Sequence, residues 1–123
     1  MSKTSDSATS QPEDCIFCKI VAGDFGSDFV YEDQWVVAFD DISPQAPVHT
    51  LIVPREHVAN LEDDPSPELL ARTFGAVSTV ARLKGIDKSG YRIVQNNGAG
   101  AGQTVYHLHV HLMGGTNFDE GLR

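Results

Sequence analysis

The stretch "VYHLHVHLMGG" at residues 105–115 constrains this chain more than any other part of it. His107, His109 and His111 alternate with Leu108, Val110 and Leu112 at a strict period of two. In an extended strand, alternate side chains point to the same side. The three imidazoles therefore share one face, about 6.5–7 Å apart, and the aliphatic residues turn toward the core. A helix would scatter the same imidazoles around its axis. Tyr106 and Val110 also favour a strand. The run belongs in a sheet buried on one side and lined with histidine on the other.

The remaining segments supply that sheet. "FVYED" and "WVVAFDD" are β-rich and separated by about a turn, which predicts a hairpin. "VHTLIVPREH" reads as a third strand stopped near Pro54, and "YRIVQ" (91–95) as a fourth. "DISPQAP" (41–47) is a loop, because its two prolines rule out regular pairing. Residues 67–84 form the one long helix, with Ser66 to cap it, Pro67 in its first turn and Gly85 beyond its end. Leu70, Phe74, Val77 and Ala81 recur at helical spacing and form its expected buried stripe. "CIFCKIVAG" (15–23) reads as a short helix ending at Gly23. "NNGAGAGQT" (96–104) is a glycine-rich loop that leads directly into the histidine strand. No repeat or linker divides the chain. The expectation is a disordered tail over residues 1–14 and one α+β domain over 15–123. That domain has a mostly antiparallel five-stranded sheet with one long and one short helix.

Charge narrows the partners. At 123 residues and a net charge of −8, the chain lacks the basic face that a nucleic-acid polymer or an anionic membrane requires. A small phosphate ligand remains open, since a few backbone amides and a histidine can hold one. No apolar run approaches the ~20 residues of a membrane span. The first residues, "MSKTSDSATSQPED", have no apolar core of a signal peptide. A cytoplasmic location follows as the expectation, with Cys15 and Cys18 reduced.

One histidine on a strand is ordinarily a surface or hydrogen-bonded residue; three on one face call for another account. One is a metal site, since neutral imidazole is the commonest metal ligand. The other is a phosphate-handling row, since histidine can attack phosphorus and carry it covalently. "GAGAGQT" favours phosphate. Its glycines let the backbone approach a ligand, and its amides with Gln103 and Thr104 would stabilise a charged oxygen. A metalloenzyme would also need carboxylates near the row, and none lies within six residues of it.

"HLHVHLM" (107–113) resembles the signature of the histidine triad nucleotide-binding proteins, His-φ-His-φ-His-φ-φ with φ apolar. "VVAFDDISPQAPVHTLIVPREH" (36–57), "NNGAGAGQTVYH" (96–107) and the glycine pair at 114–115 are similar to the Hint-like branch of that family, so residues 15–115 are covered. The resemblance implies the fold of that family and a purine nucleoside monophosphate ligand such as AMP. It also implies hydrolysis at the α-phosphate, typically of the P–N bond of a nucleoside phosphoramidate. His109 would be the nucleophile, forming a nucleotidyl-histidine that water cleaves, and His111 would contact the phosphate. Asn96, Gly102, Gln103 and Thr104 would surround phosphate and leaving group. Asp41 would bind the ribose hydroxyls; as a bare sequence feature it could equally cap a turn. Ile16, Phe17, Ile20, Phe39 and Ile42 would wall the base pocket, unless they are simply core. His49 would lie beside the triad. The same likeness implies a homodimer paired through the long helix. Alternatives are a dinucleoside polyphosphate hydrolase of the same superfamily, or a nucleotide-binding and interaction module with incidental catalysis. Hint-branch chains usually continue into a tail with a Trp; here "TNFDEGLR" follows the glycines and Trp35 is the only Trp, so leaving-group preference transfers least.

Cys15-x-x-Cys18 lacks the βαβ setting of a thioredoxin-like pair. Two cysteines with two histidines make a zinc site. "CIFCKI" resembles the opening of family members that hold structural zinc, which implies Cys15, Cys18, His57 and His107 as ligands. No metal would then be required for the chemistry. Two free thiols in a buried helix are the alternative.

Overall fold

A computed structural model describes residues 12–26 and 28–118. Residues 1–11 of the expected tail lie outside these, and Pro12–Asp14 wind into a 3-10 turn. Five strands follow: β1 (Tyr31–Glu32), β2 (Val36–Asp40), β3 (Val48–Pro54), β4 (Tyr91–Val94) and β5 (Val110–Gly114). They form one sheet in the order β1-β2-β3-β5-β4, antiparallel at every step. Helix α1 (Ile16–Val21) precedes the sheet, and α2 (Pro67–Leu83) joins β3 to β4.

The β1–β2 hairpin turns on Asp33. Its carboxylate accepts the Trp35 and Val36 N–H groups at 2.7 and 2.8 Å and the Tyr31 hydroxyl at 2.7 Å. Because side chains alternate, the sheet has two buried faces. Val36, Ala38, Ile52, Val110 and Leu112 face α2, packing on Ala76, Val77, Val80 and Ala81. Val37, Leu51 and Val53 face the other way, toward Cys15 and Phe17 at the start of α1. Register then places the third histidine: His111 pairs with Leu51 and Val94, on the α1 side.

Helix α2 starts as expected, with the Ser66 hydroxyl accepting the Leu69 N–H at 3.0 Å, a cap worth about 1 kcal/mol. Its buried stripe is rotated from the expected one. Val77 and Ala81 are buried, but so are Leu69, Thr73, Ala76 and Val80, while Leu70 is half-buried and Phe74 is 37% exposed. A threonine can occupy this core because its hydroxyl donates to the Leu69 carbonyl at 2.7 Å. The histidine run also differs. Regular pairing begins only at Val110, so His107 and His109 precede the strand. The expected alternation survives, with Leu108, Val110 and Leu112 fully buried. Gly114 on β5 fits under the segment after α2: a Cβ there would lie 2.7 Å from Ile86 Cδ1 and 3.3 Å from the Gly90 carbonyl.

Candidate active site

Four of the five histidines of the chain lie in two groups, His57 and His107 in the first and His49 and His111 in the second, with the His109 ring packed against that of His111. The Leu108 N–H donates to the Val58 carbonyl at 2.7 Å, which brings the residues after β3 alongside the triad.

In the first group Cys15, Cys18, His57 and His107 place their donor atoms within 4.8 Å of one another. His107 is fully buried, and its Nε2 donates to the Pro54 carbonyl at 2.7 Å. That bond leaves the Nδ1 lone pair aimed at Cys15 Sγ (3.4 Å), Cys18 Sγ (3.5 Å) and His57 Nδ1 (3.3 Å). Burial holds the His107 pKa down to about 4, against an ordinary value near 6.5, so the ring is neutral. His57 Nδ1 is 3.2 Å from Cys18 Sγ. Cys15 also caps α1, its sulfur accepting the Cys18 N–H at 3.3 Å. Two sulfurs and two ring nitrogens this close together can hold a metal ion.

In the second group Asp41, His49 and His111 also lie within 4.8 Å, yet their hydrogen bonds oppose a metal. The Gln45 N–H donates to His49 Nδ1 at 3.0 Å, so the His49 proton sits on Nε2. That Nε2 is 2.9 Å from His111 Nδ1 and 3.6 Å from Asp41 Oδ2. Binding a cation through Nε2 would drive the proton onto Nδ1, against the Gln45 N–H. His111 Nδ1 accepts from His49, which assigns the His111 proton to its own Nε2. Burial, with the neighbouring imidazoles of His109 and His49, lowers the His111 pKa to about 4.

His109 stands between the groups. Its Nδ1 donates to the His107 carbonyl at 2.7 Å, which leaves the Nε2 lone pair unprotonated. Burial lowers its pKa, opposed by that same carbonyl bond. Its ring packs edge-on against Phe17 at 5.0 Å and against His111 at 4.9 Å.

The other expected site residues are brought together unequally. Phe17, Ile20 and Phe39 share one apolar cluster beside His109, with Phe17 and Phe39 edge-to-face at 5.6 Å. Ile16 is exposed, and Ile42 is 98% exposed at the tip of its loop, so neither forms a wall with them. Asp41 takes the turn role through Oδ1, which accepts the Ser43 N–H at 2.8 Å, while Oδ2 faces His49. The glycine-rich loop is wound into a 3-10 turn, Ala99–Ala101. Its Gly102 and Gln103 N–H groups are spent on the Ala99 and Gly98 carbonyls, at 3.0 and 3.1 Å, and are not available to a phosphate. Asn96 closes the loop by donating to the Ala101 carbonyl at 2.8 Å. The Gln103 side chain, expected beside the phosphate, is buried and bonded within the protein. Thr104 is exposed. Asn60, buried against Gln103, was not anticipated, because nothing in the sequence links positions 43 residues apart.

The HIT domain family matches residues 23–118. The chain belongs to the HIT family. This HIT protein is 42% identical over 105 residues to the purine nucleoside phosphoramidase of Escherichia coli K12, covering 84% of the chain and 88% of that relative. It is 46% identical to an uncharacterized HIT-like protein of Synechococcus elongatus, over 84% of the chain and 91% of the relative. Among solved structures, a HIT family hydrolase from Legionella pneumophila is similar at TM-score 0.82 and 42% identity, covering 86% and 96% of the two chains. A histidine triad protein from Clostridium difficile gives TM-score 0.83 and 40% identity, over 89% and 96%. The HIT protein is a hydrolase of this family with the α+β fold its sequence implied. Cys15 and Cys18 lie before the matched residues, so their case rests on geometry. Among the described residues no helix is long and apolar enough to cross a membrane.

Proposed function

We propose that this HIT protein hydrolyses the P–N bond of purine nucleoside 5'-phosphoramidates of the AMP type, through a nucleotidyl-histidine. The observation that carries the reading is the tautomer of His109. With Nδ1–H held by the His107 carbonyl, Nε2 presents a lone pair on a ring that burial keeps neutral. Nε2 attacks the α-phosphorus and the P–N bond breaks, the amine leaving with a proton taken from solvent while the His111 Nε2–H donates a hydrogen bond to a phosphate oxygen. Water then attacks phosphorus, loses a proton to solvent, and releases AMP as the histidine–phosphorus bond breaks. His49 orients His111 through the 2.9 Å nitrogen–nitrogen contact. Thr104 and Asn96 flank the phosphate, Asp41 Oδ2 takes the ribose hydroxyls, and Phe17, Ile20 and Phe39 bound the base. A P–N substrate rather than a dinucleoside polyphosphate is favoured by the 42% identity to a purine nucleoside phosphoramidase. A side-by-side turnover assay on an adenosine phosphoramidate and a diadenosine polyphosphate, with and without chelator, tests the choice. Faster turnover of the polyphosphate would overturn it.

The Cys15, Cys18, His57 and His107 group fits zinc. A tetrahedral ion with Zn–N of ~2.05 Å and Zn–S of ~2.3 Å sets nitrogens about 3.3 Å apart and nitrogen and sulfur about 3.6 Å apart. The protein has 3.3 Å between nitrogens and 3.2–3.5 Å from nitrogen to sulfur. Zinc would supply structure there, pinning α1 to the residues around His107. A homodimer is supported by the exposed apolar Phe74 and Leu83 of α2, with Tyr91 and Ile93 on the edge strand β4. A cytoplasmic setting suits two reduced thiols.

A further inference from the structure

The Gln103 carboxamide has four hydrogen-bonding positions, and protein fills them all. Nε2 donates to the Ala59 carbonyl at 2.8 Å and to the Val105 carbonyl at 3.0 Å. Oε1 accepts from Asn60 Nδ2 at 2.9 Å and from the Gly98 N–H at 2.8 Å. Only one orientation of the amide satisfies two carbonyls on one side and a backbone N–H on the other. Asn60 is fixed in turn, since its Oδ1 accepts the Glu62 N–H at 2.9 Å. The side chain is 4% exposed, which makes each of these bonds costly to lose.

The partners come from three separate places. Ala59 and Asn60 follow the metal-group residue His57 by two and three positions. Gly98 opens the glycine-rich turn, and Val105 precedes His107 by two. We propose that Gln103 is a positioning residue, which fixes the glycine-rich loop and Thr104 by fastening them to the two segments that carry His57 and His107. The role of the loop toward phosphate rests on the proposed function; the fastening does not. The loop would meet phosphate alike in substrate and transition state, so loosening it weakens binding uniformly and spares the chemical step.

The test uses the full chain carrying Gln103→Met, close in size but without the bonds, and Asn60→Ala, which removes one of them. AMP affinity by calorimetry, kcat and KM on an adenosine phosphoramidate, and amide exchange at each residue are read together. The expected result for Gln103→Met is KM and the AMP Kd raised about tenfold, with kcat within about threefold. Exchange should quicken about tenfold across residues 98–104 while that of α2 holds. Asn60→Ala should move the same quantities by less, and it decides the matter if Gln103→Met does not fold. A fall in kcat at unchanged KM, with exchange quickened throughout, would show a merely structural residue and overturn the proposal. Local exchange unchanged from wild type would also overturn it. Wild-type protein that neither binds AMP nor turns over phosphoramidate would instead remove the proposed function; local exchange would still decide the fastening.

Discussion

His109→Ala removes the one triad imidazole whose Nε2 is left as a bare lone pair by its own hydrogen bond. Turnover should fall by about a thousandfold or more while AMP binding stays within about tenfold, because a covalent nucleophile acts mainly in the transition state. Steady-state kinetics and calorimetry check this, and a variant retaining about a tenth of wild-type turnover would rule out the covalent route. His111 supplies a pH test. Its folded pKa of about 4 lies below the ordinary histidine value near 6.5, so the unfolded chain binds the extra proton first. Its contribution to stability is complete above about pH 6.5 and is lost as pH falls toward the folded value. Urea midpoints at pH 7 and pH 5 should therefore drop further for wild type than for His111→Asn; equal drops would mean that His111 is not held neutral. At this scale the sequence set the three histidines at a spacing of two but not their protons. Those depend on Pro54, Gln45 and the His107 carbonyl, backbone groups that leave no trace in residue type.

Among the elements, β5 and the segment after α2 are matched to a residue with no side chain. Gly114→Ala would push a methyl into Ile86 and toward the Gly90 carbonyl. Overpacking of this kind costs about 1–3 kcal/mol. In a domain of this size the melting temperature should fall by roughly 4–8 °C per kcal/mol at most, and calorimetric scans of wild type and variant measure it. An unchanged melting temperature would mean that Ile86 yields freely. The strand segments and the limits of α2 were legible, because alternation, prolines and the Ser66 cap are local signals; the order of the strands in the sheet was not. The phase of α2 was not. Leu69 and Leu70 are adjacent and equally apolar, and Thr73 enters the core only by bonding the Leu69 carbonyl. The start of β5 was misplaced for a related reason. An extended backbone keeps its alternation with or without a partner strand, and pairing is decided by the neighbours of His107 and His109.

For the whole molecule, the candidate metal group joins Cys15 and Cys18 of the α1 segment to His57, beyond β3, and to His107, the first of the triad. Chelation of protein purified without added metal should lower its melting temperature, and zinc should restore it, as binding to the folded state alone requires. Elemental analysis showing less than about a tenth of an equivalent of any metal would remove the zinc reading. Light scattering at micromolar concentration should give twice the chain mass; Phe74→Glu on the exposed side of α2 should shift it toward the monomer. The grouping of these four residues was expected only by likeness, since Cys18 and His107 are 89 residues apart. His107 shows what such compactness entails. Its ring faces the metal group, and its carbonyl holds the His109 proton. One residue thus meets both groups, the candidate metal group through its ring and His109 through its main chain, and the carbonyl stays whatever side chain stands at 107. A change of side chain at 107 would therefore strip a ring nitrogen from the candidate metal group and still leave His109 its carbonyl acceptor.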